Sequence, residues 1–203
     1  MYITRIECGK GKKYKVFGDE EFLFSLYKNE LKHYGIAEHA EIEDSVIREI
    51  LDERIFKRAR ERALYLLEHK PFSTSMMRDK LYNSEYPKDI TDKVILFLQE
   101  YHYLDDEEYI RMYAGTYSSK KSRKQMTYDL VRKGLSRELI DIYFENPEYS
   151  EEECFKKQFD RYVQGKDLED WQVRQKVFRY FYGKGFGVSI IEDSLKNRQA
   201  SKM

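Results

Sequence analysis

Cysteine is nearly absent from this chain: Cys8 and Cys154 are the two in 203 residues. They lie far apart and belong to no pair motif, so no disulfide framework is expected, and a reducing compartment is. Proline occurs three times and glycine ten times, which leaves long uninterrupted stretches for helix. The four histidines, His33, His39, His69 and His102, are scattered without metal-ligand spacing. No apolar run approaches the roughly 18 residues of a membrane-spanning helix. The opening MYITRIE lacks a basic region followed by a long apolar core, so no leader is expected. These absences describe a soluble, cytoplasmic protein with no metal, no cofactor and no membrane partner. Net charge is missing as well, because 37 basic and 37 acidic residues cancel.

What is present is a spacing. Apolar residues step by four, five and four at Met77/Leu81/Tyr86/Ile90, at Met126/Leu130/Leu135/Leu139 and at Val177/Phe181/Phe186/Ile190. A step of four keeps two side chains on one helical face. The step of five crosses a break, Lys133-Gly134 in the second copy and Lys184-Gly185 in the third. Each copy reads as helix, tight turn, helix, sharing one apolar seam. Repetition at about 50 residues means small helical units in a row, each too small to bury its own core. Such a row predicts a long binding surface rather than a catalytic pocket.

The first 20 residues differ. Tyr2–Ile6 and Lys13–Phe17 are rich in β-branched and aromatic residues around Gly9-Lys-Gly11, which predicts a β-hairpin. Gly18-Asp19-Glu20-Glu21 is read as the approach to a helix carrying Leu23, Leu26, Tyr27, Leu31 and Tyr34 and stopped by Gly35. An acidic segment follows, with Ile42, Val46, Ile47, Ile50 and Leu51 at helical spacing. From residue 54 the array begins. Lys70-Pro71 ends its first helix, Ser73 is the expected N-cap of the next, and Pro87 marks the turn to the third. Asp105 to Glu108 are four carboxylates in a row. They are read as a helix start, with Asp105 and Glu108 in a capping box, rather than as a metal site. Ser150 and Glu153 repeat that pattern. The last residues, 196–203, are expected to be frayed. The predicted fold is therefore mostly α: residues 1–53 form a β-hairpin and helix extension, followed by three-helix repeats at 54–104, 105–149 and 150–203.

No catalytic constellation survives inspection. No Ser or Cys sits in a nucleophile context. Gly183-Lys-Gly185-Phe-Gly187 superficially resembles a phosphate loop, but it lacks the Walker spacing and follows a helical pattern, so it reads as a helix-to-helix turn. Tyrosine is abundant, at 18 copies. Its ring packs while its hydroxyl stays wet, so thin layers account for most of them, with an aromatic nucleic-acid platform as the alternative.

Charge is segregated despite the zero total. Residues 38–53 carry seven acids and one base, while residues 111–137 carry eight bases and one acid, Asp129. Lys120, Lys121, Arg123 and Lys124 place four cations in five residues with no local acid, which favours an anionic partner, either nucleic-acid phosphate or an acidic protein groove. Arg132 and Lys133 sit at the other end of the same helix, where its dipole also favours cations. Arg58 and Arg62 share a helix face in the first repeat.

Taken together, ALYLL (63–67), the Ser73, Met77, Leu81 helix, YLDDEEY (103–109), SRKQMTYDLVRKGL (122–135) and GKGF (183–186) resemble the bacterial RecX family, regulators of the recombinase RecA. The likeness spans about residues 55–197. It departs from the family pattern at Asn83-Ser-Glu-Tyr86-Pro, where Arg-Lys-Gly is usual, so this repeat's contact surface carries a different charge. The resemblance implies tandem three-helix repeats in a bent, elongated body. It also implies binding in the groove of the RecA nucleoprotein filament and restraint of its ATP hydrolysis and strand exchange, which tunes recombination, DNA repair and the SOS response. No enzyme activity is implied. The residues themselves leave a second reading, a helical-repeat protein that binds single- or double-stranded DNA without a recombinase. A self-capped array is expected to be a monomer.

Overall fold

The computed structural model describes residues 1–146 and 149–200. The chain forms two compact units, Met1–Asp105 and Asp106–Met203. The first unit opens with a three-stranded antiparallel sheet in the order β1 (Ile3–Cys8), β2 (Lys13–Gly18), β3 (Glu21–Tyr27). The third strand lies where a helix is predicted. Its residues pair with β2 in the register Val16↔Phe24, Lys15↔Ser25 and Tyr14↔Leu26, with Phe24 and Leu26 fully buried. The reason lies in the turn. Asp19 and Glu20 have φ of 46° and 69°, the two consecutive positive values of a tight hairpin turn. Without a glycine, this pair reads in sequence as an acidic helix start. Helix α1 is confined to Lys28–His33 and ends, as predicted, at Gly35 with φ of 64°.

Helix α2 (Asp44–Glu49) continues without interruption through a widened, π-helical stretch, Ile50–Phe56, into α3 (Lys57–His69). The continuous helix therefore runs through position 53. Helices α4 (Thr74–Tyr82) and α5 (Lys88–Glu100) complete the first triplet. Ser73 caps α4, its hydroxyl accepting from the Met76 N–H at 3.2 Å. Sheet and triplet share one core: Ile3, Val16, Phe24 and Leu26 belong to the same buried cluster as Ala59, Ala63, Met77, Leu81, Val94 and Leu98.

The second unit holds two further triplets. The first comprises α6 (Asp106–Tyr117), α7 (Arg123–Arg132) and α8 (Arg137–Glu145). The second comprises α9 (Glu151–Val163), α10 (Trp171–Gly183) and α11 (Val188–Ala200). Ser150 caps α9 by accepting from the Glu153 N–H. The segment expected to fray from residue 196 is helical through Ala200, and positions 201–203 lie outside the described residues.

The recurring step of five has a single physical origin. Tyr86 N–H donates to Leu81 C=O at 3.3 Å, Leu135 to Leu130 at 3.3 Å and Phe186 to Phe181 at 3.2 Å. One residue earlier, Glu85, Gly134 and Gly185 donate to Tyr82, Val131 and Tyr182, each at 2.9 Å, with φ of 64°, 79° and 88°. This pair of bonds is the Schellman helix end, whose usual companion is an apolar contact between the residues that the longer bond joins. Those residues are five apart, so the motif closes the seam across each turn. Met77, Met126 and Val177 occupy the same place in their triplets, buried on the middle helix.

A basic groove at the joint of two triplets

The candidate site lies where the α10–α11 turn seats on the α6–α7 loop. That loop folds back on itself, with the N–H groups of Lys120 and Lys121 both donating to the Tyr117 carbonyl at 2.8 Å. Ser122, fully buried, caps α7 by accepting from the Gln125 N–H at 3.2 Å, and its hydroxyl donates to the Lys184 carbonyl at 2.5 Å. Buried Gln158 of α9 donates to the carbonyls of Ser118 and Lys121 at 3.0 and 3.2 Å. Its Oε1 accepts from Lys184 Nζ at 3.2 Å. Gly185 allows close approach. A Cβ there would lie 2.9 Å from Lys124 Cδ, so the lysine stem rests across the turn.

The result is a groove of about 660 Å³ lined by Lys120, Lys121, Lys124, Lys184, Gln125, Tyr128, Asp129 and Tyr182, together with Gly183 and Gly185. Four lysines face one carboxylate. Lys184 Nζ is held by neutral oxygens, Gln158 Oε1 and the Lys120 carbonyl, the latter at 3.3 Å. Lys120 and Lys124 are exposed and have no acidic partner among the described residues. Tyr128 and Tyr182 are 63% and 60% exposed, so packing does not account for these two tyrosines.

Two members of the predicted 120–124 cluster are committed inside the fold, which corrects the expectation of no local acid. Lys121 Nζ lies 2.5 Å from Asp129 Oδ2 and 2.9 Å from the Tyr113 hydroxyl, which itself donates to Asp129 at 2.8 Å. The hydrogen bond to Asp129, then that to Tyr113, raises the Lys121 pKa. The same bond from Lys121 lowers Asp129 against the opposing effect of burial. Arg123 reaches across to α8, with Nη2 3.6 Å from Asp141 and 3.9 Å from Glu145. Its backbone N–H donates to Glu151 at 3.2 Å. Asp141, Glu145 and Glu151 lie on neighbouring helices outside the 111–137 segment, whereas Asp129 is the acid within it.

The remaining predicted residues are dispersed. Arg132 is exposed and lies 5.7 Å from the Tyr128 ring centroid, while Lys133 faces the Tyr113 ring. Arg58 and Arg62 belong to the first unit. Arg58 is paired with Glu30, donates to the Ser25 carbonyl and covers the Tyr27 ring, whereas Arg62 is exposed beside Tyr65. Sequence reasoning missed Lys184, Tyr128 and Tyr182. Lys184 lies some sixty residues from the cluster, and its GKG turn signalled only a helix end. Among the described residues, no group of three or more His, Cys, Asp or Glu is placed to hold a metal ion, and no helix is long and apolar enough to cross a membrane.

Comparison with known proteins places the chain in a family. The model of the first three-helix domain of RecX matches residues 59–98 and that of the second matches residues 105–142. A regulatory protein RecX of Clostridium perfringens (strain 13 / Type A) is 30% identical over 190 residues, covering 91% of this chain and 90% of the relative. One from Clostridium beijerinckii is 26% identical over 205 residues, covering 98% and 96%. Two crystal structures share the fold. That of a regulatory protein RecX has a TM-score of 0.58 at 22% identity, covering 94% of this chain and 97% of the other. That of RecX from Lactobacillus salivarius has 0.62 at 18% identity, covering 71% and 96%. With its three helix triplets and relatives matched along nearly its whole length, the chain belongs to the RecX family.

Proposed function

We propose that this protein is a non-enzymatic, cytoplasmic regulator that binds the nucleoprotein filament of the recombinase RecA and restrains its ATP hydrolysis and strand exchange. Family membership supports this reading, and one observation carries it to particular residues. Lys120, Lys124 and Lys184, from two triplets, line one open groove without carboxylate partners among the described residues. Such an arrangement costs mutual repulsion and is offset when an anionic surface binds. Lys121 and Arg123 hold the scaffold that presents these lysines.

The test is co-sedimentation with preformed filaments of RecA on single-stranded DNA, with DNA-only and RecA-only controls, alongside filament ATPase rates. Combined Lys120→Glu, Lys124→Glu and Lys184→Glu changes are expected to abolish retention and relieve inhibition while the helical circular-dichroism spectrum stays intact. Full inhibition by that variant would place the contact elsewhere. The second reading, a DNA binder acting without a recombinase, is favoured by the exposed Tyr128 and Tyr182 beside the lysines. It requires that naked DNA be retained at physiological salt.

A further inference from the structure

We infer that the groove between α7 and the α10–α11 turn is a stacking site for an unpaired nucleic-acid strand, with Tyr128 and Tyr182 meeting bases and Lys120, Lys124 and Lys184 meeting phosphates. The inference rests on the reading that this groove faces the filament, and it names which component of the filament enters it. Three features of the groove converge on a single strand. The first is the charge surplus of its lining, four lysines against Asp129, of which Asp129 is already satisfied by Lys121 and Tyr113. The second is the pair of aromatic rings exposed on opposite triplets, Tyr128 on α7 and Tyr182 on α10. Base–aromatic stacking is a sequence-tolerant way to hold a strand, because every base has a π-face. The third is volume: about 660 Å³ lies within the range of roughly 300–1,000 Å³ that small-ligand sites occupy.

The alternatives each leave part of this unused. A duplex keeps its bases stacked inside and offers the groove phosphates alone, so the tyrosines would have no partner. An acidic protein segment would satisfy the lysines and likewise ignore the rings. The neighbours of the two tyrosines also suit the role. Arg132 lies 5.7 Å from the Tyr128 centroid, and Phe178 lies in a near-parallel stack 6.0 Å from Tyr182. The Lys124 stem packed on Gly185 brings this lysine to the turn that carries Lys184.

The experiment is a fluorescence-anisotropy titration of the full chain at low and physiological salt. The probes are a labelled short oligo(dT), a labelled abasic deoxyribose-phosphate oligomer of equal length, a hairpin duplex and polyglutamate as a charge control. The expected result is preference for oligo(dT) over the other three. The double variant Tyr128→Leu, Tyr182→Leu is expected to lose about tenfold or more in oligo(dT) affinity while binding the abasic oligomer as before. Changing Lys120, Lys124 and Lys184 to Ala is expected to reduce the log–log salt slope by about 2, at roughly 0.7 per neutralised phosphate of a single strand. Equal binding of oligo(dT) and the abasic oligomer, preference for duplex or polyglutamate, or an unaffected double tyrosine variant overturns the inference. Retention on filaments without measurable oligo(dT) binding overturns it too, yet leaves the regulator reading standing. Lysine variants that lose oligo(dT) but still bind filaments would support the strand site and overturn its assignment as the filament contact.

Discussion

The carboxylate of Glu85 lies 3.3 Å from the ammonium of Lys15, joining the turn of the first triplet to the middle strand of the sheet. Its other oxygen accepts from the Lys10 N–H at 3.0 Å, and Lys10 Nζ donates to the Asn83 carbonyl at 2.8 Å. Gly9 leaves the room, since a Cβ there would lie 2.7 Å from the carboxylate. Glu85 holds φ of 64° at the position where the other two triplets have glycine. Glycine should relax this backbone by about 1–2 kcal/mol, but charge-assisted hydrogen bonds contribute about 1.5–3 kcal/mol each. Glu85→Gly is therefore expected to lower stability by about 1 kcal/mol or more, read from the denaturation midpoint, with faster hydrogen exchange in β1 and β2. A more stable variant would show that the carboxylate contributes less than the backbone relief that glycine brings.

The same group sets a pH dependence. Burial alone would raise the Glu85 pKa, but the Lys10 amide, the Lys15 hydrogen bond and the nearby positive charge outweigh it and hold the carboxyl below its ordinary 4.5. A lowered carboxyl pKa contributes stability that is complete above the ordinary value and is lost as pH falls through the lower folded value. The difference in Tm between the native chain and Glu85→Gln is expected to be constant from neutrality to about pH 5 and to shrink below the ordinary value. A difference that persists unchanged in stronger acid would assign it to shape rather than charge.

Much of this architecture was legible because a physical motif wrote a spacing into the chain. The five-residue step at Leu81/Tyr86, Leu130/Leu135 and Phe181/Phe186 is the imprint of one hydrogen-bonded helix end. Strand β3 was not legible, because Asp19-Glu20 makes a hairpin turn without the glycine that usually announces it. The groove was half legible. Lys120 and Lys124 stood out as a charge run, but their partition from Lys121 and Arg123 depends on Asp129, Asp141 and Glu145. Asp141 and Glu145 approach only once α8 packs beside α7, and Asp129 meets Lys121 through the fold of the loop that precedes α7. Lys184 joins through Ser122 and Gln158, contacts between triplets that no local pattern encodes.

That partition is testable by stability alone. Lys121→Ala removes a cation from Asp129 and Tyr113, leaving a half-buried carboxylate short of a partner, whereas Lys120→Ala touches no acid. The first is expected to cost about 1–2 kcal/mol and the second to stay within about 0.5 kcal/mol. A double-mutant cycle of Lys121→Ala with Asp129→Asn should return a clear coupling term. Equal effects at positions 120 and 121 would argue against the pairing.

Thr91 offers the opposite case. It is fully buried in the first turn of α5, and its hydroxyl has no hydrogen-bond partner among the described residues. Burying an unsatisfied hydroxyl is unfavourable, and valine has nearly the same shape. Thr91→Val is expected to raise stability by up to about 1 kcal/mol, seen as a higher denaturation midpoint. A loss instead would mean that the hydroxyl contributes to stability through a partner such as bound water.

Gly185 and Gly165 separate backbone strain from crowding. Both have positive φ, 88° and 74°, but only Gly185 is crowded: an added Cβ would lie 2.9 Å from the Lys124 stem, while at Gly165 nothing lies within 4 Å. Alanine at either site forces an L-residue into the left-handed region, at about 1–2 kcal/mol. Gly165→Ala should cost only that. Gly185→Ala must in addition push Lys124 off the turn, so it should lose more stability and also weaken anion binding in the groove, which Gly165→Ala leaves unchanged. Thermal denaturation paired with an anion titration of both variants distinguishes the two effects. Equal losses with unaltered binding would show that the Lys124 stem yields freely and that Gly185 is present for its backbone alone.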